Sequence, residues 1–116
     1  MSEDSAQLVA ELVVPHLGET VAFLARLGFR VARDSGTFAV LRWDDCYLFV
    51  AEDAAATVEN RWINIRVIVP DADVMWEKAT RLGARIVTTI GDRPYGLRDF
   101  IVAGPGGIEI RFAQVI

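Results

Sequence analysis

The chain repeats itself. Residues Val13 to Val31 read VVPHLGETVAFLARLGFRV, and Ile68 to Ile86 read IVPDADVMWEKATRLGARI. The two stretches align without a gap at an offset of 55, so that Pro15 meets Pro70, Leu27 meets Leu82, Gly28 meets Gly83 and Arg30 meets Arg85. Such a repeat within 116 residues implies two copies of one supersecondary unit. Any position in one half therefore has a counterpart in the other.

The length fits one compact domain, and the repeat divides it into module one (7–52), a polar, alanine-rich connector (53–60) and module two (61–114). Hydrophobic residues make up 53% of the chain, so a substantial core is expected, with part of the apolar surface available for burial between subunits. A net charge of −4 argues against nucleic acid, whose phosphates need a basic face. The N-terminal MSEDSAQ has no basic or apolar leader pattern, and no apolar run approaches the ~20 residues of a membrane helix. The expectation is a cytoplasmic protein. Cys46, the single cysteine, sits in a strand-like run and reads as a buried small hydrophobe.

Hydrophobic periodicity gives the element order. Leu8 to Val14 is a strand and Gly18 to Leu27 an amphipathic helix with Gly28 as its cap. Strands follow at Phe29 to Arg33, Phe38 to Trp43 and Cys46 to Ala51. The order then recurs: strand Trp62 to Val69, helix Ala72 to Leu82 behind an Asp71 N-cap, and strand Ala84 to Thr89. Residues 91–98 (GDRPYGLR) read as a loop carrying Tyr95 and Arg98. Strands Asp99 to Ala103 and Ile108 to Ala113 close the chain. The pattern is β-α-β-β-β twice, an α+β fold. One helix covers one face of each sheet, and the uncovered faces are expected to enclose a concave ligand cavity.

Strand alternation selects the residues for that cavity. Ile63, Ile65, Val67 and Val69 point to the helix, leaving Asn64 and Arg66 for the open face. Likewise Ile108, Ile110 and Phe112 leave Glu109 and Arg111. The repeat offset places Glu11 with Arg66 and Val9 with Asn64. Cys46, Leu48 and Val50 are expected on the helix side, leaving Tyr47 and Phe49 open. The candidate ligand-binding set is thus Glu11, Tyr47, Phe49, Asn64, Arg66, Tyr95, Glu109 and Arg111. Glu11, Glu109, Arg66 and Arg111 can also neutralise one another as an ion network with no ligand. Gly104 to Gly107 reads as a hairpin turn rather than a phosphate cradle, because a strand follows it. The lone His16 falls at a helix entry, which leaves no credible catalytic triad.

Three stretches, ETVAFLARLGFRV, DADVMWEKATRLGA and YGLRDFIVAGPGGIEIRFAQ, in this order and doubled, resemble the vicinal oxygen chelate superfamily of glyoxalase I, bleomycin-resistance proteins and extradiol dioxygenases. The resemblance runs from about Leu8 to Gln114 and implies two β-α-β-β-β modules forming a cupped mixed sheet. It implies, for the family's enzymes, a divalent metal held from the first and last strand of each module. The corresponding positions here are Val9, Asn64, Phe49 (to within a residue) and Arg111, none of them His or carboxylate. That departure is shared with the bleomycin-resistance branch, and it implies a metal-free, cofactor-free homodimer. Such a dimer sequesters a small, planar or drug-like molecule at the subunit interface, as antibiotic-resistance proteins of that branch do. Arg66 and Arg111 would meet anionic or carbonyl groups, Glu11 and Glu109 cationic or amide groups, and Tyr47, Phe49 and Tyr95 a planar ring. The alternative is a glyoxalase-like lyase or dioxygenase-type enzyme with a displaced or absent metal site.

Overall fold

A computed structural model describes residues 9–56 and 63–116. They fall into two compact units that part after Ala56. The first holds β1 (Ala10–Val14), α1 (Leu17–Leu27), β2 (Arg30–Asp34), β3 (Phe38–Trp43) and β4 (Cys46–Glu52). The second holds β5 (Ile63–Ile68), α2 (Ala72–Arg81), β6 (Arg85–Asp92), β7 (Leu97–Ala103) and β8 (Ile108–Val115). Leu8, Trp62 and the N-terminal stretch lie outside the described residues.

Each unit is a four-stranded mixed sheet, ordered β1-β4-β3-β2 in the first and β5-β8-β7-β6 in the second. The hairpins run antiparallel, and the last strand returns to lie parallel to the first. A parallel neighbour needs a crossover, and the helix with its two following strands supplies it. α1 buries Leu17, Thr20, Val21, Leu24 and Leu27, a spacing that makes one helical stripe. It lies on a sheet face built from Leu12, Val14, Ala39, Leu41, Leu48 and Val50, all at most 4% exposed. α2 has a narrower stripe of Ala72, Met75 and Ala79. Trp76 widens it by meeting Phe100 edge-on at 5.2 Å, above Val102, Ile108, Ile110 and Phe112.

Both helices are tied by their N-termini to the far end of the last strand. The first N–H groups of a helix have no partner within it. Glu52 Oε2 accepts from the Leu17 N–H at 2.9 Å, and Gln114 Oε1 accepts from the Ala72 N–H at 2.9 Å. The two ties are counterparts, each joining the helix start to the end of the strand paired with the first. α2 has a second cap, since Asp71 Oδ1 accepts from the N–H groups of Asp73 and Val74. His16, at the same position before α1, caps nothing with its side chain. At the other helix end Gly28 has φ 130° and Gly83 φ 71°, angles that a side chain disfavours.

The strand pairing shows where the halves diverge. Leu48 stands opposite Ala10, and Ile110 opposite Ile65. The offset is therefore 55 at the first strand and 62 at the last. Most of the extra length enters between β6 and β7. Residues 91–98, expected as a loop, are half strand: β6 runs on to Asp92 and β7 starts at Leu97. A tight turn joins them, with the Arg93 N–H donating to the Leu97 carbonyl at 2.7 Å and Gly96 at φ 86°. Arg98 accordingly lies in β7 rather than in a loop. Cys46 also departs from expectation, being exposed. It pairs with Trp43 beside the Asp44-Asp45 turn, at the sheet end where burial gives way to solvent.

Glu52→Ala should lower stability by about 1 kcal/mol, and Gln114→Ala by less, because α2 keeps its Asp71 cap. Urea denaturation of the two variants tests this, and equal losses would contradict the stated division of capping.

Candidate functional site

The helix-free faces carry the candidate residues. In the first unit the buried set Leu12, Val14, Leu48 and Val50 fixes the alternation, so Glu11, Val13, Tyr47 and Phe49 take the other face. Glu11 stands opposite Phe49 in the β1–β4 pairing. Phe49 meets Phe38 edge-on with ring centroids 5.4 Å apart, and the Arg33 guanidinium lies 5.9 Å over the Phe38 ring. Tyr47 pairs with Arg42 and is 38% exposed. This face joins the aromatic rings to Glu11 on β1 and to Arg30, Arg33 and Arg42, which the register sets on the same side. Trp43 instead packs on Phe29, centroids 5.0 Å apart.

In the second unit Asn64 stands opposite Glu109, and Arg66 opposite Arg111. All four alternate with buried or half-buried core residues, Ile65, Val67, Ile110 and Phe112 among them. The ion network considered for Glu11, Glu109, Arg66 and Arg111 is not what engages Arg111. Its ion pair is with Asp99, at 3.8 Å from Oδ2.

Asp99 is the centre of this face. It is 1% exposed and lies on β7 two residues from Phe100's outward neighbour Ile101, opposite the side that Phe100 and Val102 give to α2. Arg93 Nε donates to its Oδ1 at 2.7 Å, and the Tyr95 hydroxyl to its Oδ2 at 2.8 Å. Arg93 also donates to the carbonyls of Thr89 and Asp99, at 2.6 and 3.1 Å, which straps the turn across β6 and β7. Burial works to raise the Asp99 pKa, but the bonds from Arg93 and Tyr95 and the charges of Arg93 and Arg111 outweigh it and hold the carboxyl below its ordinary 3.8. The same bond to Asp99 pushes the Tyr95 hydroxyl up, so it stays a donor. Arg98, on the helix side, donates to both oxygens of Asp73 at 3.1 and 2.9 Å and to Asp92 at 3.0 Å.

Asp99 and Arg93 were absent from the sequence-derived set. Alternation from Phe100 and Val102 places Asp99 on the open face, so the signal was there. Arg93 gave none, because its role depends on the turn that residues 91–98 make.

The metal positions implied by the resemblance hold Val9, Phe49, Asn64 and Arg111. Valine and phenylalanine offer no lone pair, and a guanidinium repels a cation, so this donor set does not fit a divalent ion. Among the described residues no three or more His, Cys, Asp or Glu gather as a group. No helix among them is long and apolar enough to cross a membrane.

The sequence pattern of the Glyoxalase/Bleomycin resistance protein/Dioxygenase superfamily matches residues 6–112, and the chain belongs to that family. Its fold is similar to a bleomycin-binding protein complexed with bleomycin, with TM-score 0.81, 18% identity, and 97% of this chain and 100% of that one covered. It is also similar to TioX from Micromonospora sp. ML1, with TM-score 0.79, 24% identity, and 97% and 100% covered. A third is the bleomycin-binding protein of bleomycin-producing Streptomyces verticillus complexed with copper(II)-bleomycin, with TM-score 0.76, 23% identity, and 96% and 97% covered. No curated protein matches the chain by sequence.

Asp99→Asn removes the charge that Arg93 and Arg111 share, and should cost about 3 kcal/mol at neutral pH. Because the folded carboxyl titrates below its ordinary value, this contribution is complete above pH 3.8 and fades as the pH falls through the folded value. Urea denaturation from pH 7 downward should therefore show a wild-type advantage that is constant at first and shrinks below that point. A pH-independent difference would contradict the assignment.

Proposed function

We propose that this protein is a metal-independent small-molecule-binding protein that works as a homodimer, with its ligand in a cavity at the dimer interface. The observation that carries this reading is the chemistry at the implied metal positions. Phe49 and Arg111 occupy matching places, opposite Glu11 and Arg66 in the two parallel pairings. One is an aromatic ring in contact with a second ring, and the other is a cation beside a buried carboxylate. Both are suited to holding an organic molecule. Its fold neighbours complexed with bleomycin support a small-molecule ligand without identifying it.

The proposed binding residues divide by chemistry. Tyr47 and Phe49 offer ring surfaces for stacking, and Tyr95 a ring edge beside Asp99. Asn64 offers amide groups, Glu11 and Glu109 acceptors for cationic or amide groups, and Arg66 and Arg111 donors for carbonyl or anionic groups. No covalent step is assigned to any of them. Protection by sequestration, the role of antibiotic-resistance proteins in this family, needs only affinity and no turnover.

Native mass spectrometry of the protein purified without added metal tests the proposal. The expected species is a dimer without a stoichiometric divalent ion, and an organic adduct mass would begin to identify the ligand. A stoichiometric divalent ion in the native dimer would overturn the metal-independent reading, and a monomer at micromolar concentration would overturn the interface cavity.

A further inference from the structure

The second sheet's helix-free face holds more positive charge than its own residues neutralise. Arg66 and Arg111 stand directly opposite in the parallel pairing of β5 and β8. Residues so paired share a face about 5 Å apart, and like charges there repel. Asp99 is the one carboxylate within 4 Å of Arg111 among the described residues, and its oxygens are already engaged. Oδ1 takes the Arg93 bond and Oδ2 the Tyr95 bond. Arg111 is left at 3.8 Å, too far for a hydrogen bond. Its Nε is buried and has no hydrogen-bond partner, a state that ordinarily costs stability unless something completes it.

The Arg66 side chain forms no ion pair or hydrogen bond with the described residues. Glu109, on the same face two residues before Arg111, lies within ion-pair distance of neither arginine. On this face Arg66, Arg85, Arg93 and Arg111 thus outnumber Asp99 and Glu109. Each guanidinium presents a planar fork of N–H donors matched to two-oxygen acceptors.

We propose that Arg66 and Arg111 form an oxyanion-binding pair that takes a carboxylate or phosphate group of the ligand between their guanidiniums. This deepens the small-molecule-binding reading and rests on it, by making the ligand an anion. The oxyanion relieves the repulsion between the two arginines and supplies the acceptor that the buried Nε lacks. Asp99 contributes by keeping Arg111 on this face without using up its donors. A neutral isostere gains much less, because it leaves the repulsion between the two arginines unrelieved.

Arginine-labelled ¹⁵N protein, titrated while the Nε–H resonances are followed, tests the pair. The probes are inorganic phosphate, phenyl phosphate and benzoate, with benzamide as neutral counterpart and sodium chloride at equal ionic strength as control. Spectra of Arg66→Gln and Arg111→Gln assign the two signals. The expected result is saturable shifts of both signals with the oxyanions and none with chloride. Arg66→Gln, at an exposed position, should keep the fold and weaken oxyanion binding about tenfold or more. Arg81→Gln, on exposed α2 surface, should not change it. Relative affinities for phenyl phosphate and benzoate then distinguish a phosphate ligand from a carboxylate. Absence of saturable shifts, or affinity that survives in Arg66→Gln, overturns the pair. Benzamide binding as well as benzoate also overturns it, while leaving the small-molecule reading in place.

Discussion

One helix cannot cover both faces of a four-stranded sheet. In each unit the helix claims the face made by alternate residues of the strands, and there the packing is dry: Leu12, Val14, Leu41 and Val50 in the first, Phe100, Val102, Ile110 and Phe112 in the second, all at most 2% exposed. The opposite face is released from packing against a helix of its own. Its residues are then free to be polar, charged or aromatic according to what they meet. Everything distinctive about this chain is written on those two faces.

The faces were largely legible because strand geometry has a period of two. A single apolar set such as Ile63, Ile65 and Val67 assigns its neighbours without further information, and the repeat transfers the assignment to β1, where the apolar signal is weaker. The helices were legible through the Val21, Leu24 and Leu27 stripe and through Asp71. What escaped depends on contacts distant in sequence. Nothing local tells Glu52 and Gln114 that they will reach helix starts 35 and 42 residues away. The turn-rich composition of GDRPYGLR hid the fact that both its ends extend strands. Its Pro, Gly and charged residues carry low strand propensity, and pairing with the neighbouring strand overrode it. Missing that hairpin meant missing the Arg93–Asp99 pair that the hairpin creates. Cys46 was misplaced for the opposite reason, since alternation says which side a residue faces but not where the sheet runs out of cover.

The added length in the second half has a physical consequence. In the first unit the β2–β3 turn is short, and on the open face the ring at position 49 meets a second ring at 38. In the second, the extended β6–β7 hairpin brings Arg93 and Tyr95 over Asp99. A carboxylate so buried is tolerable only with close donors, and the hairpin delivers two. The insertion and the buried acid therefore belong together. Removing the hairpin would strand Asp99, and removing Asp99 would leave Arg93 and Arg111 facing each other with nothing between them.

The same coupling explains why the implied metal position cannot be restored one residue at a time. Replacing Arg111 with a glutamate would set a second carboxylate near Asp99, whose own charge is held by a network that Arg111 helps to balance. Two carboxylates side by side repel each other, and Asp99 would lose the charge of Arg111 that helps to hold it ionised. Phe49, the counterpart on the other unit, is bound into an edge-on pair with Phe38, so a polar substitute there gives up ring packing as well. The two halves have each committed their last strand to a different chemistry, aromatic in one and cationic in the other. Neither commitment offers the lone pairs that a divalent metal ion needs.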